Sequence, residues 1–318
     1  MLFRNTKPDQ PRSAPSSVDR DWPLPPPPVI DLLTIRVDDY LGGRANKHWL
    51  VTSKDDRTLV LRRYQHEPIG DIDYELRVLQ RLADLGWSTP VAVADPVHSD
   101  GSTWCLFQWL PGAPPVGMDS QAQRARGRLL ARLHHDMETL ADLGQRPGAR
   151  RAEDVVADPE LTDQLRAYER LFPHQARIMR WHVDSARQTF DEFCRPDCPL
   201  MVLHGDFINQ NLLYADGRLT GVIDFEGCHL NHRVSEFALS WRGRYDDVVH
   251  GYTEVHPLTE LDWALLTPAL WSWVFLGVAA EIRKMVSGAI PPHRFEWQTR
   301  MLLRRSPLMG RHRAPYAE

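Results

Sequence analysis

The chain has 318 residues, 42% of them hydrophobic and 25% charged, and at about 150 residues per domain that is enough for two compact units. Such a composition excludes a collagen-like chain, a disordered chain and a small disulfide scaffold. The 38 basic and 42 acidic residues leave a net charge of −4, without the basic field that a nucleic-acid partner requires.

In chain order, residues 1–28 hold Pro8, Pro11, Pro15, Pro23 and the run Pro25 to Pro28 among few apolar side chains, and are expected to form a disordered tail. Arg4 and Lys7 are followed by no apolar stretch, so no secretory signal is expected. Lys47 to Thr52 and Thr58 to Arg63, separated by Lys54, Asp55 and Asp56, predict a hairpin. Ile72, Leu76, Leu79 and Leu82 make an i, i+4, i+7 stripe ended by Gly86, an amphipathic helix. Val91 to Val97 and Thr103 to Trp109, flanking Ser99, Asp100 and Gly101, predict a second hairpin.

Pro111, Gly112, Pro114 and Pro115 then break the chain. They place a hinge at 109–113, between a unit over 29–108 and one over 114–318. Helices are expected from Ser120 to Leu140, from about Pro159 to Phe193, and from residue 226 onwards. A strand-rich island from Leu200 to Phe225 interrupts them. Trp263 to Ala280 carries no charge and reaches the lower limit for a membrane span. Thr267, Pro268 and Ser272 inside it, and Glu260 and Asp262 before it, favour a helix at the centre of a helical unit. Cys194 and Cys198 are four apart with no matching pair, and neither Cys105 nor Cys228 completes a zinc spacing. All four are expected to be reduced and incidental in a cytoplasmic protein.

The island carries the chemistry. It reads Leu203-His204-Gly205-Asp206-Phe207-Ile208-Asn209-Gln210-Asn211, turns at Asp216-Gly217, and returns through Val222-Ile223-Asp224-Phe225-Glu226. The hairpin folds Asp224 back towards Asn211, and a carboxylate with an amide oxygen suits Mg²⁺, which takes the rest of its shell from water and phosphate. Asp206 would then face an acceptor hydroxyl. Read by itself, His204 is a core histidine that braces the loop.

This ordered set resembles the aminoglycoside phosphotransferase and choline kinase superfamily, distant relatives of the protein kinases. The resemblance implies an α+β, bilobal protein-kinase-like fold, with a small antiparallel-sheet N-lobe that binds ATP and a larger, mainly helical C-lobe. It implies that Asp206 is the catalytic base, that Asn211 and Asp224 hold Mg²⁺, and that Glu226 is a further metal ligand or supports one. Leu41-Gly42-Gly43-Arg44-Ala45-Asn46 resembles the family's nucleotide loop. Leu59-Val60-Leu61-Arg62 resembles the strand that ends in a phosphate-binding lysine, here arginine, with Glu75 as its ion-pair partner. Gln108-Trp109-Leu110-Pro111-Gly112 resembles the adenine-binding hinge, with glutamine where an acidic residue is common. Arg233 to Ala238 resembles the segment that braces the catalytic loop, with Glu236 in place of aspartate.

The implied reaction is ATP- and Mg-dependent transfer of a γ-phosphate to a small-molecule hydroxyl, with no protein, nucleic-acid or membrane partner. Glu153, Asp154, Asp158, Glu160 and Asp163 form an acidic stretch that suits a cationic aminoglycoside or related antibiotic, the acceptor expected here alongside sugar-like metabolites. An amino alcohol is the alternative. Trp241, Trp263, Trp271, Trp273 and Trp297 offer rings for a choline cage, and Val222 to Phe225 is also compatible with a homoserine-kinase-like branch. The replacements at Arg62, Gln108 and Glu236 motivate a second alternative, a nucleotide-binding pseudokinase with a regulatory role. Retention of Asp206, Asn211 and Asp224 together favours the enzyme. A protein kinase is disfavoured, because no Asp-Phe-Gly or Ala-Pro-Glu bounds an activation segment.

Overall fold

Alternating apolar and polar residues build an antiparallel sheet from β1 (Ile35–Gly42), β2 (Lys47–Ser53), β3 (Thr58–Tyr64), β4 (Val97–Ser99) and β5 (Ser102–Gln108), in the order β1-β2-β3-β5-β4. The computed structural model describes residues 22–43, 46–64, 71–117, 119–194, 198–291 and 295–309. Trp49, Val51, Leu59, Leu61, Trp104 and Leu106 bury one face of the sheet, the consequence of their period-2 spacing. Helix α1 (Pro27–Leu33) precedes the sheet, and α2 (Ile72–Asp84) carries the expected amphipathic stripe.

Two expectations need correction here. Residues 22–28 are not part of a tail: Pro27 and Pro28 occupy the first turn of α1, where a missing N–H is tolerated. Trp22 stacks on Tyr40, and Trp49 Nε1 donates to Pro23 O at 2.8 Å. The expected tail before Trp22, and Arg44 and Ala45 of the glycine loop, lie outside the described residues. The strand expected over Val91 to Val97 shrinks to an isolated bridge, Ala92 to Phe107, followed by the short β4. Pro90 and Pro96 on either side have no N–H to give a ladder.

Helices dominate after residue 115: α3 (Ser120–Met137), α4 (Ala152–Ala157), α5 (Pro159–Glu169) and α6 (Pro173–Phe193). Pro173 sits at the start of α6 and splits the long helix expected from Pro159. Next come β6 (Met201–Leu203), β7 (Leu212–Ala215), β8 (Arg218–Val222) and β9 (His229–Asn231). β6 pairs with β9, and β7 with β8, both antiparallel. The chain ends in α7 (Phe237–Ser240), α8 (Asp246–Thr253), α9 (Glu260–Phe275), α10 (Val278–Val286) and α11 (Glu296–Leu302). Glu260–Val286 is long and apolar enough to cross a membrane by length and composition, yet most of it is buried inside the protein, where α9 packs on α6.

The chain forms two compact units. One comprises Met1–Pro68, Leu76–Pro114 and Leu212–Ile223; the other comprises Ile69–Glu75, Pro115–Asn211 and Asp224–Glu318. The β7–β8 hairpin groups with the sheet. Backbone bonds from Ala113 to Tyr214 and from Val222 to Ser88 hold it there.

Candidate active site

The segment His204 to Asn211 leaves β6 with its backbone N–H groups turned inward onto one carboxylate. Glu236 accepts from the N–H of His204 at 2.6 Å, of Gly205 at 3.1 Å and of Phe207 at 3.3 Å. It is fully buried, and His134 Nε2 lies 3.7 Å away. Burial alone would raise the Glu236 carboxyl. The nearby His134 and His204 rings and the Gly205 N–H outweigh it, and hold the group below the usual carboxylate range. The glutamate in place of aspartate thus braces the loop. His204 does so too: its Nδ1 accepts from Asp206 N at 3.1 Å, and its ring rests on Phe225 with centroids 4.2 Å apart.

Asp206 is mostly enclosed. Burial pushes its carboxyl up to about 6, while a hydrogen bond from Asn211 pulls the other way. Asn211 Nδ2 donates to Asp206 O at 2.8 Å and to Asp206 Oδ2 at 3.0 Å. The amide nitrogen is thereby spent, and Oδ1 is the Asn211 atom left for a cation.

Asp224 follows β8. In the hairpin register Leu212 opposes Val222, so Asn211 and Asp224 leave the same end of the hairpin. Asp224 has φ 71°, an uncommon left-handed conformation for a non-glycine residue. The loop after it meets the loop of Asp206 through bare backbone. Gly205 has φ 83°, and a Cβ there would lie 2.2 Å from Gly227 O, so only glycine fits. From the far side, buried Arg146 donates to Glu226 O at 2.6 Å and to Cys228 O at 3.2 Å. The structure therefore brings Asp206, Asn211, Asp224 and Glu226 into two touching loops. The Asp224 and Glu226 carboxylates and the Asn211 amide oxygen form a hard-oxygen set that fits Mg²⁺. Asp206 beside them is a group able to take a proton near neutral pH.

The sheet unit holds the other expected residues. Gly42 and Gly43 close β1 with φ 85° and 128°, and a Cβ on Gly43 would collide with Asn46 O. Asn46 is buried, Lys47 Nζ donates to Gly43 O at 2.8 Å, and His48 Nδ1 lies 3.3 Å from Gly42 O. Burial and then the charge of Arg62 lower His48 to about 3, which keeps it neutral. Arg62 is buried on β3 with its guanidinium 4.5 Å from the Tyr64 ring centre. Glu75 is buried in the first turn of α2, within the other unit. Gln108 ends β5 and gives its N–H to Val91 O at 3.0 Å, and Leu110 lies over Gly221.

Sequence reasoning missed Arg146, His134, Lys47 and His48. Lys47 and His48 adjoin a motif already singled out. Arg146 and His134 lie far from the motifs along the chain and no spacing flags them. Two groups of residues singled out for the acceptor have partners within the protein. The acidic stretch is engaged within the protein: Glu153 with His232 and Arg151, Asp154 with Arg151, Asp158 with Arg150, Glu160 with Arg283 and Asp163 with Arg166. The tryptophans form no single cage. Trp241 is buried and donates to Asp246, Trp271 is buried against Trp181 and His182, and Trp273 meets Trp297 edge-on.

The sequence pattern of the Phosphotransferase enzyme family matches residues 38–256, and the chain belongs to that family. It is 23% identical over 266 residues to a homoserine kinase of Zymomonas mobilis, covering 73% of this chain and 79% of that protein. Its fold is similar to an aminoglycoside phosphotransferase of Alicyclobacillus acidocaldarius, with a TM-score of 0.60, 13% identity, and coverage of 90% and 95% of the two chains. An amicoumacin kinase solved with AMP-PNP, Ca²⁺ and amicoumacin is similar with a TM-score of 0.59 at 13% identity, over 85% of this chain and 86% of that one. The protein is a bilobal, kinase-like small-molecule phosphotransferase.

Proposed function

We propose that the protein transfers the γ-phosphate of ATP to the hydroxyl of a small amino alcohol of the homoserine type. The observation that carries the transfer chemistry is the pair of touching loops that present Asp206, Asn211 and Asp224. Asp206, raised to about 6, takes the proton of the acceptor hydroxyl. Asn211 Oδ1 and the Asp224 carboxylate hold Mg²⁺, with Glu226 supporting them. The ion, when bound, neutralises phosphate charge. Backbone N–H groups of Gly42, Gly43 and Asn46 cover the phosphates and Arg62 grips them, while Gln108 and Leu110 receive the adenine. The braced loop supports the enzyme over a pseudokinase, since Glu236 makes the bonds that its replacement of aspartate had put in question.

The acceptor reading moves away from the antibiotic class first expected. The acidic residues that suggested a polycation are paired internally, and the similarity to a homoserine kinase extends over most of both chains. A coupled ADP-release screen over homoserine, choline, ethanolamine, aminoglycosides and other hydroxylated antibiotics tests both steps. Highest kcat/KM with an amino alcohol is expected, abolished by Asp206→Asn. Turnover with antibiotics alone would overturn the acceptor. ATP consumption with no acceptor in a broad hydroxyl library would overturn the kinase.

A further inference from the structure

Outside the phosphotransfer site, four ligand-type side chains meet where α6 ends. Cys194 caps α6, Cys198 follows four residues later, Glu153 stands in the first turn of α4, and His232 comes directly after β9. The Sγ atoms of Cys194 and Cys198 and a ring nitrogen of His232 all lie within 4.8 Å of one another. Cys194 Sγ is 3.4 Å from His232 Nε2, and Glu153 Oε2 is 3.1 Å from the same nitrogen. Zinc binds thiolate at about 2.3 Å and imidazole at about 2.0–2.1 Å, which puts two such atoms about 3.5 Å apart across a tetrahedral angle. The Cys194–His232 and His232–Glu153 separations are close to those edges, whereas Glu153 stands outside the group of three that lie within 4.8 Å of one another and reaches the ion by a shift of its side chain.

We propose that Cys194, Cys198, His232 and Glu153 form a structural zinc site. Binding replaces the two thiol protons, released to solvent, with two Zn–S bonds, and the carboxylate and imidazole complete the tetrahedron. Two thiolates and one carboxylate around Zn²⁺ leave one negative charge. Arg151 Nε stands 3.2 Å from the other Glu153 oxygen to balance it. The surroundings are organised as such a site requires. Asn231 Oδ1 accepts from the His232 N–H at 2.9 Å and from Ala152 N at 3.3 Å, so one amide positions two of the ligand-bearing segments. Phe190 stacks on the His232 ring. Four protein ligands leave no open position, so the ion is structural rather than catalytic. It ties the end of α6 and the start of α4 to the turn that carries Glu236 four residues on. The pair Cys194 and Cys198 alone gave no zinc spacing; the fold supplies His232 and Glu153 from either side in sequence. The proposal is independent of the phosphotransfer reading.

The full chain, reduced and stripped with a chelator, is titrated with Co²⁺ and then Zn²⁺. About one equivalent of cobalt should bind with intense visible bands and sulfur-to-cobalt charge transfer, and zinc should displace it. Cys194→Ser and His232→Gln should drop that stoichiometry from about one to near none. Should those variants fail to fold, the wild-type spectrum and Glu153→Gln, which should weaken binding by about tenfold or more, still decide. A pale spectrum without charge transfer would place the ion on oxygen ligands and overturn the proposal. So would an unchanged spectrum in Cys194→Ser. No cobalt uptake by reduced protein, together with a Cys194–Cys198 disulfide formed in air, would overturn it in favour of a redox pair.

Discussion

Glu236→Gln removes the charge at the centre of the catalytic loop while keeping the shape of the side chain. One carboxylate oxygen accepts from His204 and Gly205, the other from Gly205 and Phe207. Whichever way the amide turns, its NH₂ faces at least one backbone donor, and one or two N–H groups lose their acceptor. Each such loss in a buried site costs about 1–3 kcal/mol, so the variant is expected to lose about 2–4 kcal/mol. At roughly 2–4 °C per kcal/mol for a unit of this size, the melting temperature of the helical unit should fall by about 5–15 °C. Hydrogen exchange across residues 200–211 should accelerate, and kcat should fall with it. The pH dependence has a definite sign. Because the folded-state pKa of Glu236 is lowered, its contribution is complete above the ordinary carboxylate pKa and is lost as pH falls through the folded value. The gap between wild type and variant should therefore narrow in acid. A variant that melts within about 1 °C of wild type, with loop amides equally protected, would refute the bracing role.

Asp206 runs the other way: burial raises it to about 6, so its ionised form destabilises the free fold at and above that pH. Asp206→Asn should lose turnover yet raise the stability of the free protein by about 2–3 kcal/mol at pH 8, with no gain at pH 3. A gain independent of pH would contradict this. In the wild type, kcat/KM should fall as pH drops through about 6, where the base becomes protonated; a flat profile down to pH 5 would exclude Asp206 as base. Gly205→Ala forces a Cβ against Gly227 O at positive φ and should cost at least about 2 kcal/mol, read by thermal melting, with kcat reduced. Arg62→Ala should raise the KM for ATP more than that for the acceptor, and Arg62→Lys should be tolerated. Equal effects on both substrates would mean that Arg62 only holds the sheet together.

The strands and α2 were legible because period-2 and period-3.6 patterns are local, and the Asp206 to Asp224 motif because its residues are close in sequence. Proline explains most of the discrepancies. Pro27 and Pro28 read as tail but start α1, Pro173 splits a helix that composition joins, and Pro90 with Pro96 reduces a strand to a bridge. The allocation of the β7–β8 hairpin to the sheet unit depends on long-range backbone bonds, which no local pattern reports. The ion-pair partners of the acidic stretch were hidden for a related reason. Composition registers five carboxylates but not their partners, and Arg283 and His232 come from more than 75 residues away.

Two buried charges of opposite sign do matching work behind the catalytic loops. Glu236 gathers the N–H groups of His204, Gly205 and Phe207, whereas Arg146 gathers the carbonyls of Glu226 and Cys228. Each loop thus satisfies its inward-facing peptide groups on a single ionic side chain, and Gly205 lets the two backbones touch. Backbone is held by backbone-directed contacts, and the side chains of Asp206 and Asn211 meet through Asn211 Nδ2, which donates to Asp206 Oδ2. That division of labour also accounts for glutamate at position 236. What the loop requires there is a buried carboxylate within reach of three N–H groups, and a side chain one methylene longer than aspartate meets that requirement.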